Sequence, residues 1–592
     1  MTPPPSDSLR LPNIALLLGL SWLVIVAQLL ASHWAETAQT LLDTDDAMRI
    51  VQVREFLAGR GWFDLHEMRL GPPDGYDTHW SRLIDAGLAG MYLMFHPFAD
   101  NALAERLVRT VWPMLWLLPT TVAAAAIAWR IAGPAAVPFA CLLTVVGQPA
   151  FRQFVPGRID HHNVQIALSV LLIAASAWSD RLRFAAVAAG VLTGAALAIG
   201  FESLPFVVLG AGAMALHFVY SREAARPLAH YGLGAAASVA VAFAVSVGSS
   251  HWSRTACDAI AVNSAVAAII ATLGVAVAGT TLAAAGWRAR FAGVAISAAA
   301  GLAVFLAIEP QCVGGPFAMM HPLVRSLWFV HVSEMESLWT IVTTSAPRAA
   351  AFAAFPAIGM LCALAAARDP NMRRDFGFAV AAVALSAAVA LTIGMIRTQS
   401  YAEWFAVPMV AAGALRLCTS FGLDRLAARV FVALLLTPAV TSALALAAVT
   451  AVTHPQVEEQ SSRSAEGCRR NETYAELARV PPGRVATDID NGPFVLALTP
   501  HSVLSAPYHR LAAPIIAAHR IFALPPAAAR EVVVEAKPDY LVICGRPFLG
   551  GIGEVERAAS LWGRLAAGQV PDWLELVPET RGRQLVAYRV KL

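Results

Sequence analysis

Long apolar runs separated by short polar turns dominate this chain. The first, "NIALLLGLSWLVIVAQLLAS", contains no charged residue. A helix needs roughly 20 mostly apolar residues to cross a bilayer. In lipid every backbone polar group must be satisfied within the segment, so such runs read as helices. About thirteen recur, near 13–32, 107–129, 133–150, 163–178, 184–200, 204–220, 231–249, 259–283, 291–308, 337–366, 377–395, 403–417 and 429–452. Their Ala and Gly content predicts close helix–helix packing. Composition agrees: 57% of the residues are hydrophobic and 14% charged, against about 25% charged in soluble domains. The net charge of +3 is too small to imply a nucleic-acid partner. The sequence therefore predicts an integral membrane protein with an all-α membrane region.

Basic turns set the orientation. "DRLR" at 180–183, "REAAR" at 222–226, "RAR" at 288–290, "RDPNMRR" at 368–374 and "RLAAR" at 425–429 recur at every second turn. The positive-inside rule makes these cytoplasmic. Residues 33–106, 151–162, 201–203, 250–258, 309–336, 396–402 and the tail from 453 then face outward, across the cytoplasmic (inner) membrane. The first run lacks a small-residue cleavage site and reads as an uncleaved anchor. The expected division is a multi-span region over 1–452 and an extracytoplasmic soluble α/β domain over 453–592. In that tail, "VPPGRVATDIDNGPFVLA" and "REVVVEAKPDYLVICG" carry short strand and turn signals with intervening helices.

Seven cysteines test this topology. Cys141, Cys362 and Cys418 fall in or beside apolar runs and read as core packing. Cys257 and Cys312 flank a two-helix hairpin, and Cys468 and Cys544 share the tail. All four face a disulfide-permissive side, which predicts the pairs 257–312 and 468–544.

Three acid-bearing stretches remain. "LLDTDDAMRIVQVREFL" bunches Asp43, Asp45 and Asp46 at the start of a helical pattern. A helix cap uses one acid; three within four residues repel unless a cation or a proton relieves them. "VPGRIDHHNVQ" gathers Arg158, Asp160, His161 and His162. Asp160 with His162 offers an oxygen and a nitrogen to a divalent ion, although Asp160 is also a plausible helix cap. "FVHVSEMESLW" places Glu334 and Glu336 just before an apolar run, where a solvated helix start is the plainer reading.

In order and side, these stretches resemble the GT-C superfamily of polyprenyl-phosphate-dependent glycosyltransferases. "TDDAMRIVQVREFLAGRGW" resembles the first outer loop of oligosaccharyltransferase catalytic subunits and of the lipid A aminoarabinose transferase. "GRIDHHNVQ" is similar to the "GxxDNE" motif, and "HVSE" to "SVSE". The resemblance implies a catalytic Asp45 with Asp46 beside it, and a catalytic or metal-binding Glu334. It implies an Mn²⁺ or Mg²⁺ ion at Asp45, Asp160, His162 and Glu334. His162 stands where the family has glutamate, a ligand one charge poorer. Arg397, in "IRTQSYAEWFAVP", looks like the arginine that meets the lipid phosphate, and Arg158 would assist. His79, Trp80, Arg82 and Tyr401 are expected acceptor or sugar contacts. The family's "WWDYG" is missing; "DIDNGPFVLALTPHSVLSAPYHR" occupies the comparable place, so asparagine glycosylation is not implied. The implied function is transfer of a sugar or oligosaccharide from a polyprenyl-phosphate or -diphosphate donor to a lipid, glycan or protein acceptor. The competing reading, a transporter or flippase of a lipid-linked glycan, would place its polar residues near the bilayer midplane, whereas here they lie in outer loops.

Overall fold

A computed structural model describes residues 11–453, 466–545, 549 and 552–591. The chain is mostly helical, with a small sheet near its C-terminal end. Among the described residues, eight helices are long and apolar enough to span a membrane. A ninth would be the pair Leu426–Leu435 and Pro438–Thr453, bent by 51°. The expected thirteen are not reached. The runs near 133–150, 163–178 and 184–200 form the shorter helices Pro134–Val145, His162–Trp178 and Ala185–Ile199. The run 403–417 lies inside Gln399–Ser420, a helix that carries a buried Glu403. The run 337–366 breaks at Ser345 into Leu338–Thr344 and Ala346–Ala366. Apolarity extends through such breaks, so a hydropathy pattern does not register them.

Small residues let the helices meet backbone to backbone. A Cβ on Gly190, in Ala185–Ile199, would stand 2.5 Å from the carbonyl oxygen of Tyr231 in Ala225–Ser246. The Ser238 hydroxyl donates to the Gly190 carbonyl at 2.8 Å. With no hydrophobic drive between helices in lipid, this close approach and the hydrogen bond supply the adhesion.

Helix Asn101–Ala132 has 32 residues, or about 48 Å at 1.5 Å per residue, and links two polar ends. Asp100 caps its start by accepting the Leu103 N–H at 2.8 Å. Near its finish, the buried Arg130 donates to Asp180 (2.8 Å) and Asp375 (2.9 Å). Two of the basic turns therefore share one end. At the other end, Arg109 donates to the carbonyls of Thr37 (2.7 Å) and Thr40 (3.0 Å), and the acid-bearing loops collect there.

The C-terminal region forms a five-stranded sheet ordered β4-β3-β5-β7-β6. Here β1 (His66–Glu67) and β2 (Tyr76–Asp77) make a hairpin in the first loop. The sheet itself comprises β3 (Arg484–Thr487), β4 (Ser502–Val503), β5 (Tyr540–Cys544), β6 (Leu574–Leu576) and β7 (Leu585–Val590). β3 runs parallel to β4 and β5, while β7 is antiparallel to β5 and β6, with Val542 opposite Ala587. Parallel neighbours need crossovers; helices Gly492–Leu498, Ala512–Ala523 and Pro526–Ala536 supply them. The sheet region sits against the first loop. Arg69 donates to the carbonyls of Leu496 (2.9 Å), Thr499 (2.7 Å) and His501 (2.7 Å), and Leu70 bridges to Val503. Both predicted disulfides are present, Cys257–Cys312 and Cys468–Cys544. Cys141, Cys362 and Cys418 are free.

Candidate functional site

Helix Thr44–Leu57 begins where the sequence places it, with Asp43 as its cap. Asp46, on the first turn, is fully buried and accepts the backbone N–H groups of Ile159 (2.7 Å) and Asp160 (3.1 Å). A backbone amide pair held by one carboxylate fixes the second acid-bearing stretch against the first. Sequence reading gives Asp46 a catalytic part; its position is that of a joint between two loops.

Arg158 lies inside this joint. Its guanidinium meets Asp43 at 2.6 Å, Asp46 at 3.2 Å and also Asp160, and it donates to Gln153 at 2.9 Å. Expected at a phosphate, it is instead 7% exposed and shared among three carboxylates. A buried carboxylate needs such a counter-charge. Burial raises the Asp160 carboxyl, but Arg158 and His162 outweigh it and hold the group well below the usual range. Asp46 goes the other way: burial pushes it up further than Arg158 pulls it down.

Asp45 differs from its neighbours. Among the described residues, no cation forms an ion pair with it, whereas Arg158 serves Asp43, Asp46 and Asp160. Burial, then the charges of Asp43 and Asp160, push its carboxyl up to about 7.

A polar chain leads away from Asp160. Its Oδ2 lies 2.9 Å from His162 Nδ1, and His162 Nε2 lies 3.5 Å from Glu202. Arg397 contacts both Glu202 and His162. Glu202 is a residue that sequence reading misses. Its only signal is an acid in a three-residue outer turn, 201–203, too short to show a pattern.

Glu202 and Arg397 border a cavity of about 1690 Å³, above the roughly 300–1,000 Å³ of a drug-sized pocket. Asp45, Glu202, Glu334 and Arg397 stand on its wall, and so do His79, Trp80 and Tyr401. Among the described residues the buried Tyr401 hydroxyl has no hydrogen-bond partner. Trp80 lies edge-on to Tyr508, with the Arg49 guanidinium 4.6 Å from its ring centre. Arg82 is absent from the wall: it is 3% exposed and bound to Asp85 at 3.0 Å. The C-terminal region closes the other side through Arg469, Asp490, Asn491, Tyr508, His509 and Arg510. Burial pushes the Asp490 carboxyl up to about 6, against the pull of Arg469.

Two groups among the described residues are suited to a metal ion, His161–His162–Glu202 and His79–Asp258–His509. The expected set of Asp45, Asp160, His162 and Glu334 is not one of them. Asp160 already faces Arg158 and His162, and His162 converges with Glu202 instead of Glu334.

No family model and no curated protein matches the chain. Solved structures do. The chain is similar to the archaeal oligosaccharyltransferase AglB from Archaeoglobus fulgidus in complex with an inhibitory peptide and a dolichol-phosphate. The TM-score is 0.64 at 13% identity, over 90% of this chain and 69% of that one. The apo form of the Archaeoglobus fulgidus enzyme matches with TM-score 0.62 and 14% identity, over 90% and 70%. Its complex with Zn and sulfate matches with TM-score 0.56 and 14% identity, over 89% and 68%. The likeness is one of fold: the chain shares the architecture of these oligosaccharyltransferase structures over 90% of its length.

Proposed function

We propose that this chain, built on the GT-C fold, is a membrane glycosyltransferase. It moves a sugar or oligosaccharide from a polyprenyl-phosphate or -diphosphate donor to an acceptor on the outer side of the cytoplasmic membrane. One observation carries the reading. Asp45, a carboxylate without a cation partner and shifted to about 7, shares a cavity wall with Arg397. A general base works best with a pKa near the working pH. An outward guanidinium suits a phosphate.

The reaction follows from those two groups. Asp45 takes the proton of an acceptor hydroxyl or amine, whose lone pair bonds to the anomeric carbon. The bond from that carbon to the phosphate oxygen breaks, and the oxygen leaves with the electron pair. Arg397, now resting on Glu202 and His162, exchanges these partners for the phosphate. Glu334 and Tyr401, whose hydroxyl is unpartnered among the described residues, stand on the same cavity wall. As the alternative to taking the proton, Asp45 would hold a divalent cation, Mn²⁺ or Mg²⁺, together with Glu334; Asp160 would first have to release Arg158, and His162 to release Glu202. Such an ion would neutralise charge on the leaving phosphate.

Residues 453–592 are read as the outer domain that covers the cavity and receives the acceptor. The turn at Asp490 and Asn491 stands where the "WWDYG" motif would be expected, which favours an acceptor other than an asparagine peptide. Purified protein in liposomes, given radiolabelled polyprenyl-phosphate sugars and membrane extract, tests the reading. Label moving to an acceptor in wild type, and not in Asp45→Asn, supports it; equal transfer by both overturns it. Cysteines placed at exposed sites in 33–106 and 466–545 should react with an impermeant thiol reagent in spheroplasts. Labelling of the turn around Arg288 instead would invert the orientation.

A further inference from the structure

We propose that His79, Asp258 and His509 form a metal site of their own, for a divalent transition ion such as zinc, with ligands other than Asp45 and Glu334 in the same cavity. Their three ligand atoms all lie within 4.8 Å of one another. They come from three separate parts of the chain: the first loop, the turn beside Cys257, and the C-terminal region.

The donor set selects the ion. Two imidazoles and a carboxylate suit zinc and its neighbours, whereas Mg²⁺ and Ca²⁺ prefer oxygen. His509 Nε2 lies 2.7 Å and His79 Nδ1 3.9 Å from Asp258 Oδ2. Zinc binds such ligands at about 2.0–2.2 Å, so small side-chain rotations bring all three onto one ion. Among the described residues the buried His79 Nδ1 has no hydrogen-bond partner, a cost that an ion would remove.

The surroundings orient the ligands. Arg510 grips Asp258 with two bonds, Nε to Oδ2 at 2.9 Å and a terminal nitrogen to Oδ1 at 2.5 Å. Each carboxylate oxygen keeps a lone pair beyond this grip, and an outer partner of this kind fixes a ligating carboxylate. The Phe317 ring stands edge-on to His509 at 5.3 Å. The Cys257–Cys312 bridge adjoins Asp258 and limits its turn. A four-coordinate ion here keeps one position for a ligand from the cavity, which all three side chains line. The ion would clamp the C-terminal region onto the membrane part at the cavity mouth.

Cobalt binding to the full-length, chelator-stripped protein tests this independently of sugar transfer. Wild type should take up Co²⁺ with the visible bands of a low-symmetry nitrogen and oxygen site, displaced by Zn²⁺. His79→Ala and His509→Ala should each lose those bands, while Glu202→Ala should keep them. X-ray absorption on the zinc-loaded wild type should count two imidazoles, which guards against variants that fail to fold. Bands that survive His79→Ala, bands lost in Glu202→Ala, or an all-oxygen shell in the wild type would each overturn the proposal.

Discussion

The Asp46 carboxylate accepts the backbone N–H of Asp160 at 3.1 Å, across 114 positions of sequence. With the bond to the Ile159 N–H at 2.7 Å, it locks two loops into one wall. That wall holds three carboxylates around Arg158 and leaves Asp45 to the cavity.

Replacing Asp45 by Asn keeps its size and removes its charge. Transfer should fall by about 10²-fold or more, the scale of a lost general base. Expression and detergent behaviour should stay normal, because no ion pair is broken. Initial rates on purified protein check this; full activity in a folded Asp45→Asn protein rejects the role.

The raised pKa of Asp45 also makes two pH predictions. Below about 7 the carboxyl is protonated, so the rate should fall roughly tenfold per pH unit. For stability the sign is opposite. The folded state holds the proton more tightly than the unfolded chain, so stability contributed at acid pH is lost as pH rises from about 4 to about 7. The melting temperature of Asp45→Asn relative to wild type should therefore climb across that window and level off above it. A difference that is flat with pH contradicts the shift.

Arg158→Met should do more harm to folding than any active-site change. It leaves Asp43, Asp46 and Asp160 without their shared counter-charge. Removing one partner of a buried pair costs about 3–5 kcal/mol. Thermal unfolding in detergent should fall well below that of wild type, and an unchanged transition contradicts the buried role.

Arg397→Ala should raise the KM for the lipid donor with a smaller change in kcat, since its proposed partner is the donor phosphate. Glu202→Gln should do the reverse at low donor concentration. It weakens the hold on Arg397, and the apparent KM should drop. Kinetics at varied donor concentration decide, and a Glu202→Gln enzyme with a raised KM assigns Glu202 to ligand binding.

Both disulfides close long loops, with sequence separations of 55 and 76. Losing either should cost about 2–5 kcal/mol. Cys468→Ser with Cys544→Ser should loosen the C-terminal region, read as faster proteolysis there. An identical cleavage pattern in the variant and wild type argues against this.

Much was legible in the sequence because it is local. A run of apolar residues must become a helix in lipid, and the first-loop acids must start one, whatever surrounds them. The even set of cysteines outside the apolar runs, and their pairing, follows from the alternation of basic turns. What the tertiary structure alone decided are relations between charges far apart in the chain. Arg158 reads as a phosphate contact, yet three carboxylates from two loops enclose it. Arg82 reads as a cavity residue, yet Asp85 holds it in the core. Glu202 has no pattern in a three-residue turn, yet it is the partner of Arg397 and His162. Asp258 and His509 gain meaning only when the C-terminal region folds back over the membrane part. Coulomb energy depends on distance in space and on the local dielectric, and a linear sequence records neither.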